Sequence, residues 1–261
     1  NLLPNLSIDL RNKLIDVAVC DTRFTPTLNF NEIFSYVKND LRKVKELQLT
    51  MEKIMNNLLE IAKDSGLENS FHLHLMPNLG LKNGREIMKY ITGDEFGTTD
   101  IQFIINGAMK EAGLLLLLNK YISNKTGVYP FGSNFNVRNA PKTLNKLIKL
   151  CRDKIPSDQM PMLIGIGDTV TSVKDHRTNS WLRGGSDRGF LTLIQRLGES
   201  YQKENQVIFV NSSNSEVTRP RINGTDMSGI SDPNDDLKFD MIINDGPQEY
   251  VKWFKHLASK F

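Results

Sequence analysis

Cysteine is scarce in this chain. Cys20 and Cys151 are the only two, far apart and each inside an apolar segment, which excludes a disulfide framework and a thiolate metal centre and suits a reducing cytoplasm. Long apolar runs are missing as well. The longest purely aliphatic stretch, Leu114 to Leu118, is far too short to span a bilayer, and the N-terminus has no basic segment followed by an apolar one. The sequence therefore indicates neither a membrane protein nor a secreted one. Charge of one sign is also lacking: 33 basic and 30 acidic residues leave a net charge of +3, dispersed along the chain. Nucleic-acid binding needs a concentrated cationic patch, and none is present. There is no internal repeat and no low-complexity tract.

What is present is an ordinary globular pattern. A length of 261 residues suffices for one large domain or two smaller ones. From Asn29 to Gly66 the apolar residues Val37, Leu41, Val44, Met51, Leu58 and Ala62 recur at helical spacing, which predicts one long helix or two nearly in line. Asn29 and Glu32 suggest a capping box and Gly66 a C-cap. Such a helix with a single apolar stripe fits a separate layer, a cap or lid, better than a coiled coil. Phe71-His-Leu-His-Leu-Met76 alternates as a half-buried strand, with a turn expected over 77–80 and a short amphipathic helix over 83–90.

Thr99 to Ile105 reads as a further strand, broken at Asn106-Gly107 and followed by a buried helix from Met109 through Leu118. Thr169 to Arg183 reads as an inserted hairpin turning at 176–179. Beyond it, Ser186 can cap a helix carrying Phe190, Leu191, Ile194 and Leu197, and Val207–Val210 and Met241–Ile243 form buried strands. Residues 211–236 are rich in Asn, Ser, Gly, Asp and Pro and predict a long surface loop. Alternation of helix and strand in this half argues for a mostly parallel sheet with helices on both faces.

The sharpest chemical signal is Met162-Leu-Ile-Gly-Ile-Gly-Asp168-Thr169, an apolar run that halts at a carboxylate. In an open α/β sheet the carboxyl ends of strands face ligands, so Asp168 is a candidate for metal or phosphate chemistry; its plainer alternative is a cap on the next turn. Lys110 at a helix start and Asp187 beyond the hairpin are expected at the same edge of the sheet. Together they suit a phosphate and magnesium site, because magnesium takes few carboxylates and a lysine beside helix N-terminal amides attracts anions. Lys110 could instead snorkel into solvent, and Asp187 could simply oppose the helix dipole.

Two other motifs compete. His72 and His74 share one strand face in a His-x-His spacing, yet no third ligand lies nearby in sequence. Val17-Ala-Val-Cys-Asp21-Thr-Arg23 looks like an aspartyl-phosphate nucleophile strand. Arg23 stands where a second acid should be, and arginine cannot shuttle a proton near neutrality.

Several segments together resemble a known family. Asn78-Leu-Gly80, Gly97-Thr-Thr-Asp-Ile-Gln-Phe103, Met109-Lys-Glu-Ala-Gly113, Leu118-Asn-Lys-Tyr121, Gly165-Ile-Gly-Asp-Thr-Val-Thr-Ser172 and Arg183-Gly-Gly-Ser-Asp-Arg-Gly-Phe-Leu191 resemble the cyanobacterial glucosylglycerol 3-phosphate phosphatases, of the haloacid dehalogenase-like superfamily. The likeness runs from about Ile33 to Glu216. It implies an α/β fold, a Rossmann-like core with an α/β cap, and magnesium-dependent hydrolysis of a sugar-polyol phosphate through a phospho-aspartate, serving compatible-solute synthesis under salt stress. It also implies roles: Lys110 for the lysine that meets the phosphate, and Asp168 for the first acid of the metal motif. Thr169 and Ser172 stand where trehalose-phosphate phosphatases carry further acids, so the hairpin is read as an interruption after which Asp187 supplies the second magnesium carboxylate.

The family's nucleophile motif, Asp-x-Asp-Gly, is not in this sequence. The expectation is a chain beginning inside the cap, with residues 1–97 most of the cap and 98–261 the second half of the core, inactive alone, its nucleophile upstream. A non-catalytic pseudo-phosphatase or split subunit is the rival, and a sucrose- or trehalose-phosphate phosphatase relative a further one. Asn78, Thr98, Thr99 and Asp100 are candidates for sugar contact.

Overall fold

The computed structural model describes residues 8, 12, 15, 16, 18–20, 23, 25–91, 97–212, 222 and 226–260. These fall into two units. The first takes the described residues up to Asn106 together with Thr171–Ser186, and the second takes Gly107–Val170, Asp187–Ser212 and the described residues from 222 onward.

In the first unit a sheet of β1 (Val19–Cys20), β2 (Thr27–Asn29), β3 (Phe71–Met76) and β6 (Asp100–Ile105) runs in the order β1-β2-β6-β3. All its pairings are antiparallel, the longest running from Phe71 opposite Ile105 to Met76 opposite Asp100. The helical stretch divides into α1 (Asn31–Val37) and α2 (Leu41–Asp64). The break is chemical: the Asp40 carboxylate accepts from the Arg42 and Lys43 amides and so starts α2 afresh. The expected capping box is not made, since Phe30 is the N-cap of α1 and has no side-chain cap bond, although Asn29 Oδ1 accepts from the Asn31 amide at 2.9 Å. α2 ends at Asp64 with Ser65 as its C-cap, and the left-handed residue that follows is Gly66, at φ +67°. Val44, Leu47 and Met51 on α2 meet Leu73, Leu75 and Ile101 from the sheet in one core.

The expected helix over 83–90 is instead a strand. β4 (Asn78–Lys82) and β5 (Arg85–Met88) form a hairpin closed by Lys82 opposite Arg85. Asn83 and Gly84 have φ of +53° and +75°, the geometry of a two-residue hairpin turn, and this Asn-Gly signal outweighs the weak helical spacing around it. The expected turn over 77–80 is correspondingly the first half of that hairpin. The hairpin over 171–184 forms as expected, as β8 (Thr171–Asp175) and β9 (Ser180–Gly184). Backbones approach closely here, since a Cβ on Gly80 would collide with the Arg183 carbonyl and one on Gly184 with the Gly80 amide.

The first unit therefore reaches Asn106 and includes β6. Six consecutive residues of β6 pair with β3, a long-range choice that local patterning does not contain.

The second unit holds a parallel sheet of β7 (Ile164–Gly167), β10 (Gln206–Val210) and β11 (Met241–Ile243), in the order β11-β10-β7. Its helices are α3 (Lys110–Thr126), α4 (Leu144–Lys154), α5 (Arg188–Tyr201) and α6 (Pro247–Ala258). Alternation along β10 sends Val207 and Phe209 to a core with Leu191 and Ile194 of α5, and Ile208 and Val210 to the opposite side with Ile243, Tyr250 and Trp253. Helices thus cover both faces, as expected. Leu115, Leu118, Leu147, Cys151, Leu193 and Leu197 join α3, α4 and α5 to one another. A portion of the long loop is held down where Arg188 donates to both Asp235 oxygens at 2.8 and 2.9 Å. Among the described residues no helix is long and apolar enough to cross a membrane.

Candidate functional site

The carboxyl end of β7 gathers the three candidate residues. Asp187 is the N-cap residue of α5, but its side chain makes no bond to that helix. It turns towards the loop after β7, where Oδ2 accepts from the Asp168 amide at 2.8 Å and the Thr169 amide at 2.9 Å. Its other oxygen accepts from Lys110 Nζ. The Asp187 amide donates back to the Thr169 carbonyl at 3.0 Å, which locks loop and helix start together. Asp187 is buried, and the Lys110 side chain is half exposed, so one end of this ion pair is fixed and the other faces solvent.

Gly167 makes this approach possible. A Cβ there would lie 2.8 Å from Asp187 Cβ and 2.9 Å from Oδ2, so any side chain would push the carboxylate off the loop amides. Gly165, earlier on the same strand, leaves room for packing in the same way, since a Cβ there would lie 2.6 Å from Ile194 Cδ1. The two glycines of the Gly-x-Gly-Asp run thus set how closely α5 rides on β7, first through packing and then through hydrogen bonds.

Lys110 reaches the site by another route than its sequence context suggests. The strand before it, β6, belongs to the sheet of the first unit. Lys110 instead opens α3, which lies against α5 through the shared core. Met109 at the N-cap offers no side-chain bond, so first-turn amides of α3 stand beside the lysine at the positive end of the helix. A cation and helix amides can hold a phosphoryl group, to which a carboxylate at the strand end contributes through a bound cation.

For a metal the donor set is thin but of the right kind. Among the described residues no three of His, Cys, Asp and Glu cluster to hold an ion. Magnesium keeps several waters and needs only one or two carboxylates, and Asp168, whose Oδ1 accepts from Thr169 Oγ1 at 2.8 Å, is a hard oxygen donor at the correct edge. The sequence reading gives Asp187 to the metal, whereas its hydrogen bonds go to two amides and Lys110.

The His72–His74 pair is occupied structurally. His74 Nδ1 lies 2.8 Å from Glu86 Oε1, and Glu86 Oε2 accepts from the Leu75 amide, so this acid serves to pin β3 to β5. Burial holds the His72 pKa below its ordinary value, against the opposing charge of Glu86. Asp21 lies outside the described residues. The four candidates for sugar contact are buried and bonded within the first unit. Asn78 donates to the Leu75 carbonyl and to Glu86, Thr98 donates to the Pro77 carbonyl, and Asp100 accepts from Asn29 and Thr99. Gly165 and Gly167 were readable as allowing close backbone approach, since alternate glycines on a buried strand mark one. What the sequence reading missed is the role of the Thr169 amide and that the group approaching Gly167 is the Asp187 side chain.

The glucosylglycerol-phosphate phosphatase family model matches residues 1–258. A glucosylglycerol-phosphate phosphatase of Synechocystis sp. is 38% identical over 258 residues, covering 94% of this chain. The chain spans 61% of that relative's length. No solved structure matches. With a family match over nearly its whole length, the chain belongs to the glucosylglycerol-phosphate phosphatase family.

Proposed function

We propose that this chain carries the phosphate-holding portion of an enzyme that hydrolyses glucosylglycerol 3-phosphate to glucosylglycerol and phosphate, in the cytoplasm, for compatible-solute synthesis. The observation that carries the reading is the buried Asp187 carboxylate clamped between the β7 loop amides and Lys110. In the proposal Lys110 donates to the phosphoryl oxygens and offsets the charge that builds on them, and Asp187 keeps the ammonium aimed. Asp168 would hold magnesium, which when bound neutralises phosphoryl oxygens in the same way. Asp187 then acts on the metal side by fixing the Asp168 backbone rather than as a ligand itself.

We read the first unit as the cap and the second as belonging to the phosphatase core. The attacking carboxylate is assigned to a segment outside this chain, because no Asp-x-Asp pair occurs in the sequence. The second reading is a non-catalytic pseudo-phosphatase. The two separate in a phosphate-release assay of the polypeptide carrying an Asp-x-Asp segment, with glucosylglycerol, sucrose and trehalose phosphates compared. Preference for the first substrate, lost on Lys110→Ala, is the expected result. Undiminished turnover by Lys110→Ala overturns the assignment.

A further inference from the structure

One buried hydroxyl at this edge of the sheet has no use in the scheme above. Ser212 is 3% exposed, and its Oγ has no hydrogen-bond partner in the structure. Burying a hydroxyl unpaired forfeits its hydration, and an alanine would avoid that cost, so the position is explained if a partner arrives with a ligand. Nearly all other buried side-chain polar atoms of the described residues are bonded, the exception being Gln48 Nε2 in the first unit.

The register places this hydroxyl beside the candidate site. β10 runs parallel to β7 with Ile208 opposite Ile166 and Phe209 opposite Gly167, so both strands deliver their carboxyl ends to one edge. Asp168 follows Gly167, and Ser212 lies two residues beyond the level of Asp168. A strand spacing of about 4.8 Å and a rise of about 3.3 Å per residue put their Cα atoms roughly 8 Å apart. The Asn211 amide donates to the Ile243 carbonyl at 2.9 Å, so the chain is still held in ladder geometry one residue before Ser212. Asp168 and Ser212 each follow closely on the end of their strand, one residue beyond Gly167 and two beyond Val210. Ligands of parallel sheets bind in this crevice.

We propose that Ser212 is a phosphate-binding residue, its Oγ–H donating to a phosphoryl oxygen of the ester that Lys110 and the α3 amides hold. The proposal rests on the reading of this edge as a phosphate site. A hydroxyl is suited to the task because it can donate to the anionic oxygens and rotate to follow them, adding no charge that would hold the product.

The test uses the chain itself and inorganic phosphate with magnesium, following phosphate by 31P NMR line shape and stability by thermal denaturation without phosphate. Ser212→Ala is expected to weaken phosphate binding roughly tenfold or more, as loss of a hydrogen bond to a charged group does, while leaving the phosphate-free Tm unchanged or raised. Ser212→Thr, which keeps the hydroxyl, retains more of the binding than the alanine variant. Phosphate affinity unchanged in Ser212→Ala overturns the proposal, as does a fall in the phosphate-free Tm, which would reveal a partner within the chain. Lys110→Ala distinguishes the two levels. If it loses phosphate and Ser212→Ala does not, the site stands and the serine assignment falls; if the unaltered chain binds no phosphate, both fall.

Discussion

The Asp187 carboxylate holds two backbone amides and an ammonium at once, so a small change at this residue has a composite effect. Asp187→Asn keeps the size but removes the charge; it is expected to release Lys110 and weaken phosphate binding, measured by the same titration. Gly167→Ala should act from the other side of the contact. Its new methyl cannot fit at 2.8 Å from Asp187 Cβ, so overpacking of about 1–3 kcal/mol is expected in chemical denaturation, with phosphate binding reduced in parallel. His72 predicts a pH dependence. Its folded pKa lies below the ordinary 6.5 because burial disfavours the charged ring. The unfolded chain therefore binds a proton near pH 6.5 that the folded chain refuses, and stability falls as pH drops through 6.5 towards the folded value. His72→Gln should remove that component of the slope, as read from denaturation midpoints between pH 7.5 and 5.5. Cys151 is fully buried and its thiol is pushed up to about 12 by desolvation. In a Cys20→Ser background it should resist alkylation at pH 8 in the native state and react rapidly on unfolding, since the thiolate is the reactive form.

At the level of elements, glycine and asparagine decide where chain segments can meet. The β4–β5 turn needs left-handed backbone at both Asn83 and Gly84, and Gly84→Ala should cost about 1 kcal/mol or more in thermal stability for that reason. Gly80 is under a stricter constraint, having φ of +88° and the Arg183 carbonyl against its open side. Gly80→Ala is expected to separate β4 from β9 and lower the midpoint of the first unit well beyond the Gly84 variant. Asn78 links the same elements, since its Oδ1 accepts from the Gly80 and Gly185 amides while its Nδ2 donates to Glu86. The hairpin that follows Asp168 in sequence is thereby bound into the first unit. The backbone leaves the site at Val170 and returns at Asp187, which is why the second carboxylate is so distant in sequence and so close to the β7 loop in space.

For the whole molecule, two units with separate cores imply unfolding that need not be a single transition. Met51→Ala in the first core and Leu193→Ala in the second, both at 0% exposure, are each expected to cost about 2–5 kcal/mol. Calorimetry should show each lowering a different component. The sequence alone determined most element positions, because the period of apolar residues is written locally: β3, β7, β10, α2 and α5 lie where their spacing put them. It also determined the family, through short runs of residues spread along the chain. Only tertiary structure decided that β6 pairs with β3 rather than joining the parallel sheet. Tertiary structure likewise turned Asp187 away from its own helix to hold the β7 loop and Lys110. Each of these depends on long-range pairing or on backbone geometry, and the free energy of such contacts is shared between residues that have no fixed spacing along the chain.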